Sequence, residues 1–183
     1  MRLFVGLPLT NTLVEELKAT LARLRSKDDS LRWTAPESWH ITLQFLGSVS
    51  RDQFECILAR LHEVHRPFVP IRIDALDLFD RAGVLIARVR SSQELVSLER
   101  HIVAATALCG FDPESRPYHP HITLARSKGR DGRRSLQRLR SRLLRPIEFN
   151  ACSAEEFLLY ESIATPTGSR YEVRERFPLF PAR

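Results

Sequence analysis

One four-residue word occurs twice in this chain, as His40-Ile41-Thr42-Leu43 and again as His121-Ile122-Thr123-Leu124. Each copy follows a polar or proline-rich approach, Pro36 to Trp39 in one case and Pro113 to Pro120 in the other. Each runs on into apolar or strand-forming residues. Read as a β-strand, each copy sends alternate side chains to opposite faces. His40 and Thr42 then share one face, and Ile41 and Leu43 share the other. The same parity sets His121 and Thr123 against Ile122 and Leu124. The apolar pair faces a core and the polar pair faces water.

Two such strands lying side by side gather two imidazoles and two hydroxyls into one cleft. That set suits phosphate chemistry. One imidazole can take a proton from water while the other gives one to a leaving oxygen. The hydroxyls can donate to non-bridging oxygens where charge builds up in the transition state. A single His-x-Thr match carries little weight, because a lone strand histidine is commonly a hydrogen-bonded structural residue. The matched pair shifts the balance toward a site.

The duplicated His-x-Thr-x pattern resembles the 2H phosphoesterase superfamily. The longer forms HITLQFLG (40–47) and HITLAR (121–126) resemble its RNA 2′,3′-cyclic phosphodiesterase branch, also called 2′-5′ RNA ligase. The opening MRLFVGLPL resembles that branch's first strand, and the likeness runs from Arg2 to the final strands. It implies a bilobal α+β fold: two antiparallel sheets with helices on the outside, a pseudo-two-fold duplication and a central cleft. It implies hydrolysis of RNA 2′,3′-cyclic phosphate ends to a 2′-phosphomonoester, with His40 as proton donor and His121 as proton acceptor. The residues by themselves leave those two roles interchangeable. Thr42 and Thr123 would hold the phosphoryl oxygens, with no metal and no cofactor. The reverse reaction, joining ends through a 2′-5′ linkage, would be minor in water.

The order of elements agrees with a duplication. Residues 2–8 read as a buried strand. A helix capped by Thr10 or Asn11 is expected to about Lys27, with Leu13, Leu17, Leu21 and Leu24 at helical spacing. A short extended piece at Arg32–Thr34 precedes the first motif strand (40–46), which Gly47 closes. Ser50 caps a helix over 51–65 carrying Phe54, Ile57, Leu58 and Leu61. Residues 69–79 and 84–90 form a hairpin through Asp80–Gly83. Ser91 or Ser92 caps a helix over 93–108, stopped by Gly110. The second motif strand covers 120–126, a helix covers 133–144, and strands at 147–160 and 171–180 close the chain.

With 183 residues, the chain fits a single bilobal domain spanning 1–183. Cys56, Cys109 and Cys152 show no C-x-x-C spacing, so reduced thiols in a cytoplasmic protein are expected. The apolar run at the N-terminus is too short for a signal peptide, and no run reaches membrane-spanning length. The formal charge of +6 favours a polyanionic partner. The expected partners are RNA with a 2′,3′-cyclic phosphate end and nucleotide phosphates. No membrane is expected, the chain is expected to be a monomer, and no G-x-x-x-x-G-K-[ST] loop calls for ATP.

Other residues are weighed by parity. Gln44 shares the histidine face and is a candidate substrate contact, whereas Phe45 falls on the core face. Arg126 would point away from the histidines unless the strand bends after Ala125. Its place in HITLAR nevertheless makes it a candidate for substrate binding. Tyr118, Trp33 and Trp39 flank the motifs and could stack on a base, although such aromatics more often belong to the core. His119 reads as a rim residue, and its metal-ligand alternative lacks a carboxylate or Cys at ligand spacing. His62, His65 and His101 fall on helices, with surface or core roles. The stretch 126–145 is dense in Lys and Arg with Asp131 its one acidic residue. It reads equally as a phosphate-tracking strip or a solvated helix face. Two other functions stay open: a 2H enzyme for small cyclic nucleotides or ADP-ribose cyclic phosphate, and a non-catalytic basic RNA-binding module.

Overall fold

The computed structural model describes residues 1–26, 30–143, 147–166 and 168–181. The first strand, β1 (Arg2–Pro8), leads into helix α1 (Asn11–Leu24). Thr10 caps that helix by accepting from the amide of Leu13 at 3.4 Å. Leu13, Leu17, Leu21 and Leu24 form its buried stripe. The helix ends three residues before the expected Lys27, because Arg25 turns to an extended backbone with ψ of 142°. Lys27 itself lies outside the described residues.

A short strand β2 (Leu31–Trp33) and a single 3-10 turn precede the first motif strand, β3 (His40–Ser48). Helix α2 (Arg51–His62) opens on a full capping box, Ser50 and Gln53 each bonding the other's backbone. Strands β4 (Val69–Ile71), β5 (Ile73–Phe79) and β6 (Val84–Val89) follow, then α3 (Gln93–Ala107), capped by Ser92. The second motif strand is β7 (His121–Ser127), and α4 (Gly129–Leu143) follows it. Strands β8 (Cys152–Ala154), β9 (Glu156–Thr165) and β10 (Gly168–Pro178) complete the order.

Two four-stranded antiparallel sheets result, in the orders β10-β9-β1-β3 and β2-β7-β6-β5. In each, a motif strand pairs with a strand of the same lobe, β3 with β1 and β7 with β6. The two motif strands also pack against each other across the junction. The helices cover the outer faces, α3 against β3 and α4 against β7 and β5. The expected bilobal α+β architecture is present.

The sequence boundaries need correction at several places. Residues 69–79 are not one hairpin arm: β4 leaves to pair with β8 in a two-stranded ribbon, and only β5 pairs with β6. The expected strand at 147–160 starts at Cys152 and breaks at Glu155. Helix α4 begins four residues early, at Gly129. The reduced-thiol expectation fails for two of the three cysteines. Cys56 on α2 and Cys109 just beyond α3 form a disulfide, because those helices pack side by side. Residues so far apart in the chain carry no spacing signal, so only the packing could reveal the pair. Cys152 is a free, half-buried thiol.

Candidate active site

Both copies of the repeated word keep the predicted parity over their first three residues. Ile41 and Ile122 are fully buried, while His40, Thr42, His121 and Thr123 are half-buried on the opposite face. Each strand then breaks step at the same place. On β3, Thr42 pairs with Gly6 and Gln44 with Val5, so Leu43 is an extra residue. On β7, Thr123 pairs with Ile86 and Ala125 with Leu85, so Leu124 is extra. A one-residue bulge exchanges the two faces for the residues beyond it, and on β3 a second bulge at Leu46 ends the exchange.

These bulges overturn the parity reading of three side chains. Gln44 turns inward beside Val5 and is 7% exposed. The hydroxyl of Thr106 on α3 donates to its Oε1 at 2.7 Å, so Gln44 braces the strand from below. Phe45, expected in the core, swings to the cleft face and is 66% exposed. Arg126 swings to the cleft face of β7, the bend the sequence left open. Phe45 and Arg126 are therefore pseudo-two-fold mates, each three residues after its threonine.

His40 sits in an aromatic cage. Phe4 lies with its ring centroid 4.6 Å away, Tyr160 at 5.6 Å, and Tyr171 edge-on at 5.2 Å. Its Nδ1–H donates to the carbonyl of Ser38 at 2.8 Å, because a carbonyl can only accept. In the neutral ring Nε2 is then the acceptor, and Thr42 Oγ1 lies 3.1 Å from it. Desolvation pushes the pKa of His40 down to about 4, against the Ser38 bond and helped by the charge of His121. The ring packs directly over β1. A Cβ on Gly6 would stand 3.0 Å from the Ile41 carbonyl oxygen and 3.4 Å from His40 Cδ2, so any side chain there would press on β3 and on the His40 ring.

His121 repeats the arrangement with a more open shell. Its Nδ1–H donates to the carbonyl of His119 at 2.8 Å, and its Nε2 has no hydrogen-bond partner among the described residues. Phe79 meets its ring edge-on at 4.9 Å. Burial lowers its pKa, the His119 carbonyl opposes this, and the charges of Arg126 and His119 add to the lowering. A cavity of about 320 Å³ lies between the lobes, bordered by Thr42, Phe45, Phe79, Tyr118, His119 and His121.

Tyr118 borders this cavity, but its hydroxyl is committed: it donates to the carbonyl of Thr42 at 3.0 Å and so ties the approach to β7 onto β3. Burial raises the phenol pKa, the charge of Glu99 adds to it, and the donor stays protonated. Trp39 is buried in the core, and Arg25 sits 5.0 Å over the ring of Trp33. His119 lies at the rim as expected. His62 and His65 pack beside Phe177 and Phe180, away from the site. Along α4, Arg140 pairs with Asp80 at 2.5 Å and Arg142 reaches the carbonyls of Arg23 and Leu24. Part of the basic strip is thus engaged in holding the helix in place.

Sequence reasoning missed the cage. Phe4 sits in a strand so apolar that alternation is hidden, and Tyr160 and Tyr171 come from the far end of the chain. Gly6 carried no local signal either.

A model of the 2′-5′ RNA ligase superfamily matches residues 12–159. The chain belongs to that superfamily. Among its members, a protein of Aquifex aeolicus named RNA 2′,3′-cyclic phosphodiesterase is 30% identical over 186 residues, covering 98% of this chain and 97% of that one. A protein of Aeropyrum pernix with the same name is 32% identical over 163 residues, covering 83% of this chain and 90% of the other. The crystal structure of E. coli LigT complexed with 3′-AMP superimposes with a TM-score of 0.81 at 25% identity, over 97% of both chains. TT0787 of Thermus thermophilus shares the fold, with a TM-score of 0.80 at 24% identity over all of both chains. The bilobal fold with its paired motif strands is that of the superfamily.

Proposed function

We propose that this chain hydrolyses the 2′,3′-cyclic phosphate at an RNA end to a 2′-phosphomonoester, with His40 giving and His121 accepting the proton. The observation that carries the reading is a pair of imidazoles on two motif strands that pack together, near enough for the charge of His121 to act on His40, each with Nδ1–H fixed on a backbone carbonyl. Both rings are thereby held with Nε2 as the reactive atom. The names of the relatives and the 3′-AMP complex of LigT support a nucleotide-phosphate substrate.

Water attacks phosphorus, and His121 Nε2 takes its proton. The bond from phosphorus to the 3′ oxygen breaks, and Nε2–H of His40 protonates the departing oxygen. Thr42 and Thr123 donate to the non-bridging oxygens, and Arg126 adds positive charge beside His121. The two histidines supply both proton transfers, so the scheme uses neither metal nor cofactor.

His40 must be charged to act as the acid, yet in the free site it is neutral at pH 7. An anionic phosphate at Nε2 reverses that preference, since an opposite charge within hydrogen-bond distance favours the protonated ring. The faces of Phe4 and Tyr160 also attract a cation. Substrate itself therefore arms the acid. The less enclosed His121 stays neutral and serves as base. The reverse reaction would join a cyclic phosphate to a 5′-hydroxyl as a 2′-5′ linkage, and in water it would be minor.

The test is turnover of an RNA ending in a 2′,3′-cyclic phosphate, with and without chelator. His40→Ala and His121→Ala should each lose about 10²–10⁴-fold in kcat, and chelator should change nothing. Near-normal hydrolysis by both variants would end the proposal.

A further inference from the structure

Phe45 is a large apolar side chain left 66% exposed on the cleft face, although its strand buries the residues on either side of it. Its ring contact among the described residues is a tilted one with Phe4, whose ring centroid is 5.9 Å away. It stands between two cavities. One is the cavity of about 320 Å³ that touches Thr42 and His121. The other, of about 390 Å³, lies over the same face of the β10-β9-β1-β3 sheet and is floored by Phe4 and Tyr171, two rings of the His40 cage.

The two cavities differ in charge. Glu99 and Glu114 border the first, with Arg116 paired to Glu114 at 3.2 Å. Carboxylates repel phosphate but accept hydrogen bonds from the amino groups of a base. The second has no acidic residue in its lining, and its one charged lining residue among those described is Arg2, which shares the face of Phe4. Ser162 and Ser169 add hydroxyls there. That combination suits a nucleotide: an aromatic floor for the base and a guanidinium for its phosphate.

We propose that Phe45 divides the cleft into two base subsites, so that the chain engages the terminal nucleoside and also the nucleotide before it. The terminal base lies in the cavity beside His121, against Phe45 and Phe79. The preceding base lies against Tyr171 on the other side of Phe45, above the buried Phe4, with Arg2 on the internucleotide phosphate. This rests on the proposed reaction only for the placement of the phosphate between His40 and His121. It makes the preferred substrate an oligonucleotide end rather than a cyclic mononucleotide. The symmetry of the fold shows the specialisation: the same bulge presents Arg126 in one lobe and Phe45 in the other.

The experiment compares kcat/KM for 2′,3′-cyclic AMP and for ApA ending in a 2′,3′-cyclic phosphate. Stacking one more base is worth about tenfold or more. The wild type should favour the dinucleotide by at least about tenfold. Phe45→Ala, which removes the shared wall, and Ala164→Trp, which fills the second cavity from an exposed strand position, should each bring the ratio close to one. A wild-type ratio near one overturns the proposal, as does either variant keeping the wild-type ratio. Binding of the two products, 2′-AMP and ApA 2′-phosphate, is measured in parallel by calorimetry. If the wild type turns over neither substrate, the proposed reaction has failed, and the binding ratio alone decides the subsites by the same criterion.

Discussion

Acid should destabilise this protein through His40. In the folded chain the ring holds its proton only below about pH 4, against 6.5 for the unperturbed side chain. Between those values the unfolded chain binds the extra proton. Stability contributed by the neutral ring is therefore complete above 6.5 and lost as pH falls toward 4. Each pH unit in that window is worth about 1.4 kcal/mol. Moving from pH 7 to pH 5 should cost about 2 kcal/mol through this one group, and reaching pH 4 about 3 kcal/mol.

The measurement is urea denaturation followed by circular dichroism at pH 7 and pH 5, for the wild type and His40→Gln. The substituted amide does not titrate, and the remaining groups contribute similarly to both proteins. The wild type should lose about 2 kcal/mol more than the variant over that interval. Inorganic phosphate should shrink the difference, because an anion at Nε2 stabilises the imidazolium. Equal losses in the two proteins would refute the reasoning, since they would mean that the cage of Phe4, Tyr160 and Tyr171 does not hold the ring neutral.

Two further outcomes test the supports of the site. Thr106→Val removes the donor to the buried Gln44 amide oxygen and should cost about 1–3 kcal/mol in urea denaturation. An unchanged midpoint would show that the Thr106–Gln44 bond does not hold β3 to α3. Opening the Cys56–Cys109 bond, which closes a loop of 53 residues, should cost about 4 kcal/mol by the chain-entropy argument. The readout is the urea midpoint with and without dithiothreitol, and Cys56→Ser should be insensitive to the reductant.

The chain's own order of residues determined a good deal. The repeated word placed His40, Thr42, His121 and Thr123 on the wet faces of two strands, because alternation is local and needs no partner. The helix stripes and the Ser50 cap were legible for the same reason, whereas the choices of Thr10 over Asn11 and of Ser92 over Ser91 came from the structure. Tertiary structure decided what lies one residue further on. Leu43 and Leu124 are extra only relative to β1 and β6, so the exchange of faces for Gln44, Phe45 and Arg126 exists only once the strands are paired. The cage around His40 and the disulfide join residues from distant parts of the chain, and neither spacing nor composition records which distant elements meet. Periodicity is written along the backbone, whereas register and proximity arise only between segments.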